Sequence, residues 1–350
     1  MLNRIKAQLG WGERPGKLRL SSRQGILRTG LLALLALCLV FPAAAAAINA
    51  PYAFAVIQFR LGHFKQARQT LEDALQRFPG DAAAEMLLAR CDYTLGDLNG
   101  AVAHAETAVR IDPGNAQDHL WLGRIVGREA NREHSLTLAI KTRKEFEKAV
   151  NLSPTDAEAR RALMEYYLDA PWLLGGSKAK AQEQAKAIAQ INPVEGWLAR
   201  AQLDKDAGRW QEADADYQQA IQSKPQRVDP YFEAADFYVD RRDATGIKRA
   251  VEAAAAVNPS DRRIEYYRGV ADVLAGSNLA AAERELKAYV AAAPALRDVP
   301  SRVEALSWLG KLYERMGKRQ LALEQYQSAL QTNPQSRDAR EGLQRLMKTP

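Results

Sequence analysis

The chain has 350 residues, with 49 Lys and Arg against 42 Asp and Glu, and a net charge of +7. Seven of these basic residues and one acidic residue fall within residues 1–47, so the rest of the chain carries a net charge of only +1. Residues 48–350 therefore have no general excess of positive charge, and we do not expect them to bind nucleic acid. Only 7% of residues are aromatic and two are cysteines, which argues against a base-stacking surface and a disulfide scaffold.

Residues 1–47 have the order of an export signal. Basic residues up to Arg28 precede an uncharged run from Leu31 to Phe41, which is followed by Pro42 and five alanines. This order predicts a secretory signal peptide and a periplasmic location, because the apolar run is shorter than the roughly 20 residues of a membrane span. No charge occurs between Arg28 and Arg60, so an uncleaved inner-membrane anchor that holds the body outside the cytoplasm is the alternative.

One pattern recurs along the rest of the chain. Helical patterns end before prolines at positions 79, 113, 154, 193, 225, 259, 294 and 334. Within 82–115 the recurring residues include Leu88, Ala89, Tyr93, Gly96, Ala101 and Ala108. Ala89 and Ala101 are small because helices that cross at about 8–10 Å leave little room between them. Gly96 permits a left-handed turn, and Asp112 precedes the proline that ends the second helix.

These residues resemble the tetratricopeptide-repeat (TPR) family, whose unit is a helix–turn–helix of about 34 residues. The resemblance extends over residues 48–336 and implies an all-α fold, a right-handed α-solenoid of about eight units. A capping helix and tail are expected in 337–350, where the residues predicted to face the solenoid include Ala339, Leu343, Leu346 and Met347. The expected units are 48–81, 82–115, 116–156, 157–193, 194–227, 228–262, 263–302 and 303–336.

Three units are longer than the others. Seven extra residues in 116–156 equal about two helical turns, which predicts a protruding hairpin that carries Arg128, Arg132, His134, Lys141 and Arg143. Extra residues in 157–193 place Trp172, Leu173 and Leu174 between Pro171 and two glycines. This apolar segment is either a partner anchor or a plug that packs back on neighbouring helices, and the aggregation risk of an exposed patch favours the plug. Residues 295–302 are interpreted as a linker.

No catalytic, cofactor-binding or metal-binding motif is found, so we expect no cofactor, no metal and no enzymatic activity. The four histidines lie in separate helical contexts and are expected on the surface. Cys91 is interpreted as a small buried side chain, because a redox role has no supporting motif.

The resemblance implies that the first helices of the units line a concave groove. On that face we expect contacts with a protein or peptide from Arg90, Tyr93, Arg124, Arg128, Arg160, Tyr167, Lys205, Phe232, Asp236 and Asp240. The predicted function is a scaffold of the cell envelope that binds an extended partner segment, whose acidic groups meet the arginines. The alternatives are an adaptor in envelope assembly or polysaccharide export and, in the contrasting class, an enzyme or enzyme accessory subunit.

Overall fold

A computed structural model describes residues 52–292 and 299–348 of the protein. The leader 1–47 lies outside these ranges, as do residues 295–298 of the expected linker. The described chain contains seventeen α-helices, no β-strand, and no helix that is both long and apolar enough to cross a membrane. The helices are α1 Ala53–Arg60, α2 Phe64–Arg77, α3 Ala82–Leu95, α4 Leu98–Ile111, α5 Ala116–Glu133, α6 Leu136–Leu152, α7 Ala157–Asp169, α8 Lys178–Ile191, α9 Pro193–Asp206, α10 Trp210–Gln222, α11 Asp229–Asp240, α12 Ala244–Val257, α13 Arg263–Ala275, α14 Leu279–Ala292, α15 Arg302–Arg315, α16 Arg319–Thr332 and α17 Arg337–Lys348.

The helices pack in chain order. Each helix contacts the next, and from α3 onward each odd-numbered helix also contacts the following odd-numbered helix. A helix pair of this kind cannot bury both of its faces, so stacking of pairs creates the continuous core. The fold is an all-α solenoid of repeated helix pairs, as predicted.

Turn residues end and begin the helices where the sequence indicates. Gly96, Gly208 and Gly317 have φ angles of +91°, +71° and +68°, in the left-handed region that glycine adopts without strain. Asn192 shows how a helix stop and a helix start share one residue. α8 ends at Ile191, directly before Asn192. The side-chain oxygen of Asn192 accepts hydrogen bonds from the backbone N–H groups of Val194 and Glu195, in the first turn of α9.

Small residues allow the close approach of paired helices. Ala89, Ala101 and Ala201 are fully buried. At Gly310 on α15, an added Cβ would lie only 2.4 Å from the ring of Tyr326 on α16. The tyrosine therefore occupies the volume that a larger residue at position 310 would need.

The third helix pair is longer than its neighbours, as predicted. α5 has 18 residues and α6 has 17, whereas α3 and α4 have 14 each. Two basic residues expected at the protruding end contact the preceding pair instead of pointing freely into solvent. Arg132 donates to Asn99 Oδ1 at 2.8 Å, and Lys141 forms an ion pair with Glu106.

The tail helix α17 covers the end of the solenoid. Ala339 and Leu346 are buried, and Leu343 packs against the core. The prediction was wrong for Met347, whose residue surface is 73% exposed. Met347 lies about 100° around the helix from Leu346, on the far side of Leu343, and so falls outside the buried face.

Candidate protein-binding groove

The odd-numbered helices form the inner surface of the solenoid. Residues from α5, α7, α9, α11, α13 and α15, with the turns that precede them, line one open cavity of about 960 Å³. None of the even-numbered helices in the described chain contributes to it. We call this cavity the concave groove. Its position matches the face on which the sequence places the ligand contacts.

Arginine and aromatic side chains cluster beside the amino-terminal end of the groove, where Arg124 is the member of the cluster that lines it. The guanidinium carbon of Arg90 lies 4.3 Å from the centroid of the Trp121 ring, and that of Arg124 lies 5.2 Å from it. Arg128 lies 5.0 Å from the ring centroid of Tyr93, and this ring meets Trp121 edge to face at 6.4 Å. We call these five residues the arginine cluster. Stacking on the rings holds three positive charges together without neutralising them.

Two of these arginines lack a paired carboxylate among the described residues. Arg124 forms an ion pair with Glu158 at 2.8 Å, whereas no described carboxylate lies within ion-pair distance of Arg90 or Arg128. Arg90 Nε and one terminal nitrogen of Arg128 are buried without an acceptor. Burial lowers the pKa of Arg90, and the charge of Arg124 lowers it further. An anionic group that accepted hydrogen bonds here would pair with the free donors and would offset the repulsion between Arg90 and Arg124.

The remainder of the concave groove is acidic. Eight carboxylate side chains line the groove, against four arginines. At its centre Arg161 pairs with Glu233 and lies 3.2 Å from Glu165. Asp236 accepts a hydrogen bond of 2.5 Å from Tyr267 Oη, and burial within the groove raises the pKa of Asp236 to about 6. The lining of the groove is thus mainly negative, and the positive arginine cluster lies beside its amino-terminal end.

The structure brings together only part of the predicted contact set. Arg90, Tyr93, Arg124 and Arg128 form one cluster, while Phe232 and Asp236 line the groove further along. Phe232 is only 3% exposed, because it stacks on Tyr267 and under Arg263. It therefore forms the floor of the groove and offers little surface to a ligand.

The other four predicted contacts have partners within the solenoid. Lys205 and Asp240 form an exposed ion pair at 2.7 Å, so each must exchange that partner to meet a ligand. Tyr167 is buried and donates to Glu147, and Arg160 donates to Pro154 O and Gln184 instead of lining the groove. Tyr167 and Arg160 are corrections to the predicted set, because their side chains belong to the packing between helices.

Sequence reasoning missed two parts of the site. Trp121 supports both Arg90 and Arg124, and a search for aromatic residues three positions before an arginine on the same helix could have found it. Arg161 occupies the centre of the groove, although the prediction chose its neighbour Arg160. Because adjacent helical residues differ by about 100° in direction, an error of one residue in register moves the side chain out of the groove.

The segment between α7 and α8 contradicts the plug interpretation for two of its three apolar residues. Trp172 and Leu173 are 79% and 72% exposed, while Leu174 is partly buried. They belong to a short 3₁₀ turn, Trp172–Leu174, which projects because Pro171 and the two glycines prevent the chain from continuing α7. We call Trp172 and Leu173 the apolar tip.

Two titratable residues outside the groove, His119 and Cys91, are buried within the fold. His119 is only 5% exposed and bonds Glu145 Oε2 at 2.7 Å and Pro113 O at 3.1 Å, so the expectation of a surface histidine was wrong at this position. Cys91 is fully buried, as predicted. Within residues 52–292 and 299–348, no group of His, Cys, Asp and Glu is arranged to hold a metal ion.

Comparisons with known proteins agree with this architecture. Two family models described as tetratricopeptide repeat match residues 52–116 and 303–336. A search of curated proteins found no match. Among solved structures, a thermophilic TPR protein of Thermus thermophilus is 26% identical, with a TM-score of 0.44, over 53% of this chain and 96% of that one.

Two further solved structures are more distant in sequence. A tetratricopeptide repeat protein from Parabacteroides merdae is 14% identical over 88% of this chain and all of its own, with a TM-score of 0.45. The protein pilF of Pseudomonas aeruginosa is 17% identical over 65% of this chain and 98% of its own, with a TM-score of 0.43. The two matched repeat models lie near the two ends of one continuous series of helix pairs, so the chain contains tetratricopeptide repeats at both ends of its solenoid.

Proposed function

We propose that this protein is a non-catalytic scaffold of the cell envelope that binds an extended segment of a partner protein in the concave groove. TPR arrays generally mediate protein–protein interaction, which supports the general class of function. The groove adds a surface long enough for an extended chain, because six successive odd-numbered helices line it. The distribution of charge in and beside the groove indicates which kind of segment would bind there.

The proposed function rests mainly on the arginine cluster. Arg90 and Arg128 present buried donors that no described side chain accepts, and aromatic rings hold their guanidinium groups in place. Guanidinium groups fixed in this way lose little conformational entropy when a carboxylate binds, so an acidic residue of the partner is the expected occupant. The acidic remainder of the groove would then face a neutral or basic part of the same segment.

A paired charge-reversal experiment tests this function. Arg90→Glu with Arg128→Glu should abolish capture of partners from envelope extracts while leaving the helical circular dichroism signal unchanged. The matched control reverses Arg110 and Arg284, which lie on the even-numbered helices α4 and α14, outside the groove. Capture by the cluster variant at the level of the control would remove the groove assignment.

The envelope location is supported by the signal-like order of residues 1–47. Amino-terminal sequencing of the mature protein distinguishes a cleaved signal peptide from an uncleaved membrane anchor. A start between Ala45 and Pro51 indicates a soluble periplasmic protein, and an intact amino terminus indicates a membrane-anchored one. Cytoplasmic fractionation of the whole population would contradict the proposed location.

A further inference from the structure

Two of the three departures from the regular repeat meet at one place. The lengthened pair α5–α6 and the extra segment between α7 and α8 border a second cavity, of about 520 Å³, at the side of the solenoid. We call it the edge groove. Its walls include Tyr93, Arg124 and Arg128 on one side and Tyr166, Pro171 and Leu174 on the other. The edge groove is therefore lined by three members of the arginine cluster, and Arg124 also lines the concave groove.

Hydrogen bonds fix the segment that carries the apolar tip. The backbone N–H groups of Leu174 and Gly176 donate to Pro171 O at 2.9 and 3.1 Å, and Tyr166 Oη donates to Leu174 O at 3.1 Å. Gly176 cannot be replaced without movement of the backbone, because an added Cβ would lie 1.7 Å from Ala170 O. The tip is thus held in one shape before any partner arrives, which lowers the entropic cost of binding.

The apolar tip is directly next to the wall of this groove. Trp172 and Leu173 lie in sequence between Pro171 and Leu174, both of which line it. Their exposure leaves two large apolar side chains in water, where they gain nothing from the fold. Tryptophan in such a position is typical of the residues that contribute most to binding at protein interfaces.

The charges around the edge groove restrict what can bind beside the tip. Arg124 and Arg128 line the edge groove together with Glu165 and Asp169. Arg124 already has Glu158 as its partner, whereas Arg128 has a buried terminal nitrogen without an acceptor. Arg128 is therefore an arginine of the edge groove that has no carboxylate partner among the described residues.

We propose that the edge groove binds a partner segment in which one carboxylate side chain lies close to a bulky apolar side chain, the carboxylate on Arg128 and the apolar group against Trp172 and Leu173. This inference rests on the proposed function, and it identifies the chemistry of the segment and its point of entry into the concave groove. Recognition by both features explains why the two insertions occur in adjacent helix pairs and border the same cavity.

Peptide selection tests the proposal directly. The purified full-length chain is used to select from a random octapeptide library displayed on phage, and binding of the enriched peptides is measured by fluorescence anisotropy. We expect enriched sequences to combine an acidic residue with an aromatic or large aliphatic residue within a few positions. Trp172→Ser with Leu173→Ser should weaken binding about tenfold and remove the apolar preference, while the acidic preference remains.

Arg128 is tested separately in the same assay. Arg128→Glu should remove the acidic preference and leave the apolar one, and Arg128→Gln serves as a second variant if reversal of the charge disturbs folding. The control for the tip is Phe54→Ser with Leu61→Ser, since these side chains are also exposed, at 63% and 66%, but lie on α1 and just after it. The control variant should bind the selected peptides as the wild type does.

Several outcomes would contradict the inference about the edge groove. Selection of no peptide, or of peptides indifferent to both sets of variants, overturns the inference. So does flotation of the protein with vesicles of phosphatidylglycerol and phosphatidylcholine that depends on Trp172, because the tip would then be a lipid anchor. If the tip variant captures envelope partners normally while the Arg90 and Arg128 double variant does not, the inference fails and the proposed function remains.

Discussion

Arg161 and Glu233 are 72 positions apart in sequence and form an ion pair across the inner surface. Arg161 lies on α7 and Glu233 on α11, so a complete helix pair, α9–α10, separates them along the chain. Glu195 on α9 also lies within 3.4 Å of Arg161. The pair therefore joins units that are not sequence neighbours, and it lies on the floor of the concave groove that a partner would occupy.

Loss of Arg161 should destabilise the protein more than loss of an exposed arginine. Arg161→Met leaves Glu233 without its counterion, and we expect the free energy of unfolding in urea to fall by about 1–3 kcal/mol, since both side chains retain some contact with water. The control, Arg337→Met, breaks an exposed pair with Glu341 and should leave the free energy of unfolding almost unchanged.

A double variant makes this prediction stricter. Glu233→Gln in the Arg161→Met background removes the unpaired charge and should recover part of the lost stability. If the double variant were less stable than the sum of the two single variants, the buried charge would not be the cause of the destabilisation.

The repeating pattern was sufficient to predict the helices, because each one has local signals. Gly96, Asn192 and the prolines mark helix ends through backbone geometry that does not depend on distant contacts. The seven extra residues before Asp156 predicted two longer helices because whole turns preserve the packed face. Such features are encoded within a few residues of where they act.

The candidate site could be predicted only in part, because its contacts depend on curvature. The distance between Arg161 and Glu233 is set by how three successive helix pairs rotate on one another, which no local pattern encodes. The apolar tip shows the same limit. Whether Trp172 packs or projects depends on whether a neighbouring surface has room for it, which the residues around position 172 do not encode.

Gly310→Ala should destabilise the carboxyl-terminal end. The new methyl group would lie 2.4 Å from the Tyr326 ring, which is fully buried and also packs under Gly342 of the tail helix. We expect a loss of about 1–3 kcal/mol in urea unfolding, because the ring has no space into which to move. Gly114→Ala is the control, since its Cβ would meet an ordinary contact of 3.6 Å. Equal stability of the two variants would show that α17 can shift away from Tyr326.

Acidification should stabilise the protein through Asp118. Burial raises the pKa of this carboxyl group to about 6, with a further contribution from Asp112. The folded state then binds a proton more readily than the unfolded state, so the free energy of unfolding rises as the pH falls through 6. Between pH 7.5 and 5.5 the expected gain from this group is about 0.8 kcal/mol.

The variant Asp118→Asn isolates that contribution from the other buried carboxyl groups. Urea unfolding at the two pH values should show a smaller gain for the variant than for the wild type, because only Asp118 has been removed from the titration. Identical pH dependence in the two proteins would mean that this side chain titrates near its ordinary pKa in the folded state.

The Cys91 thiol should be unreactive until α3 opens. Burial raises its pKa to about 12, with a smaller contribution from Asp92, so about one molecule in ten thousand carries the thiolate at pH 8. In a Cys38→Ser background, labelling by a thiol-reactive dye should be negligible in native buffer and rapid in guanidinium chloride. Ser223→Cys, at an exposed turn, provides the fast reference in the folded protein. Native labelling of Cys91 at the rate of that reference would mean that α3 separates from α2 and α4 far more often than its packing predicts.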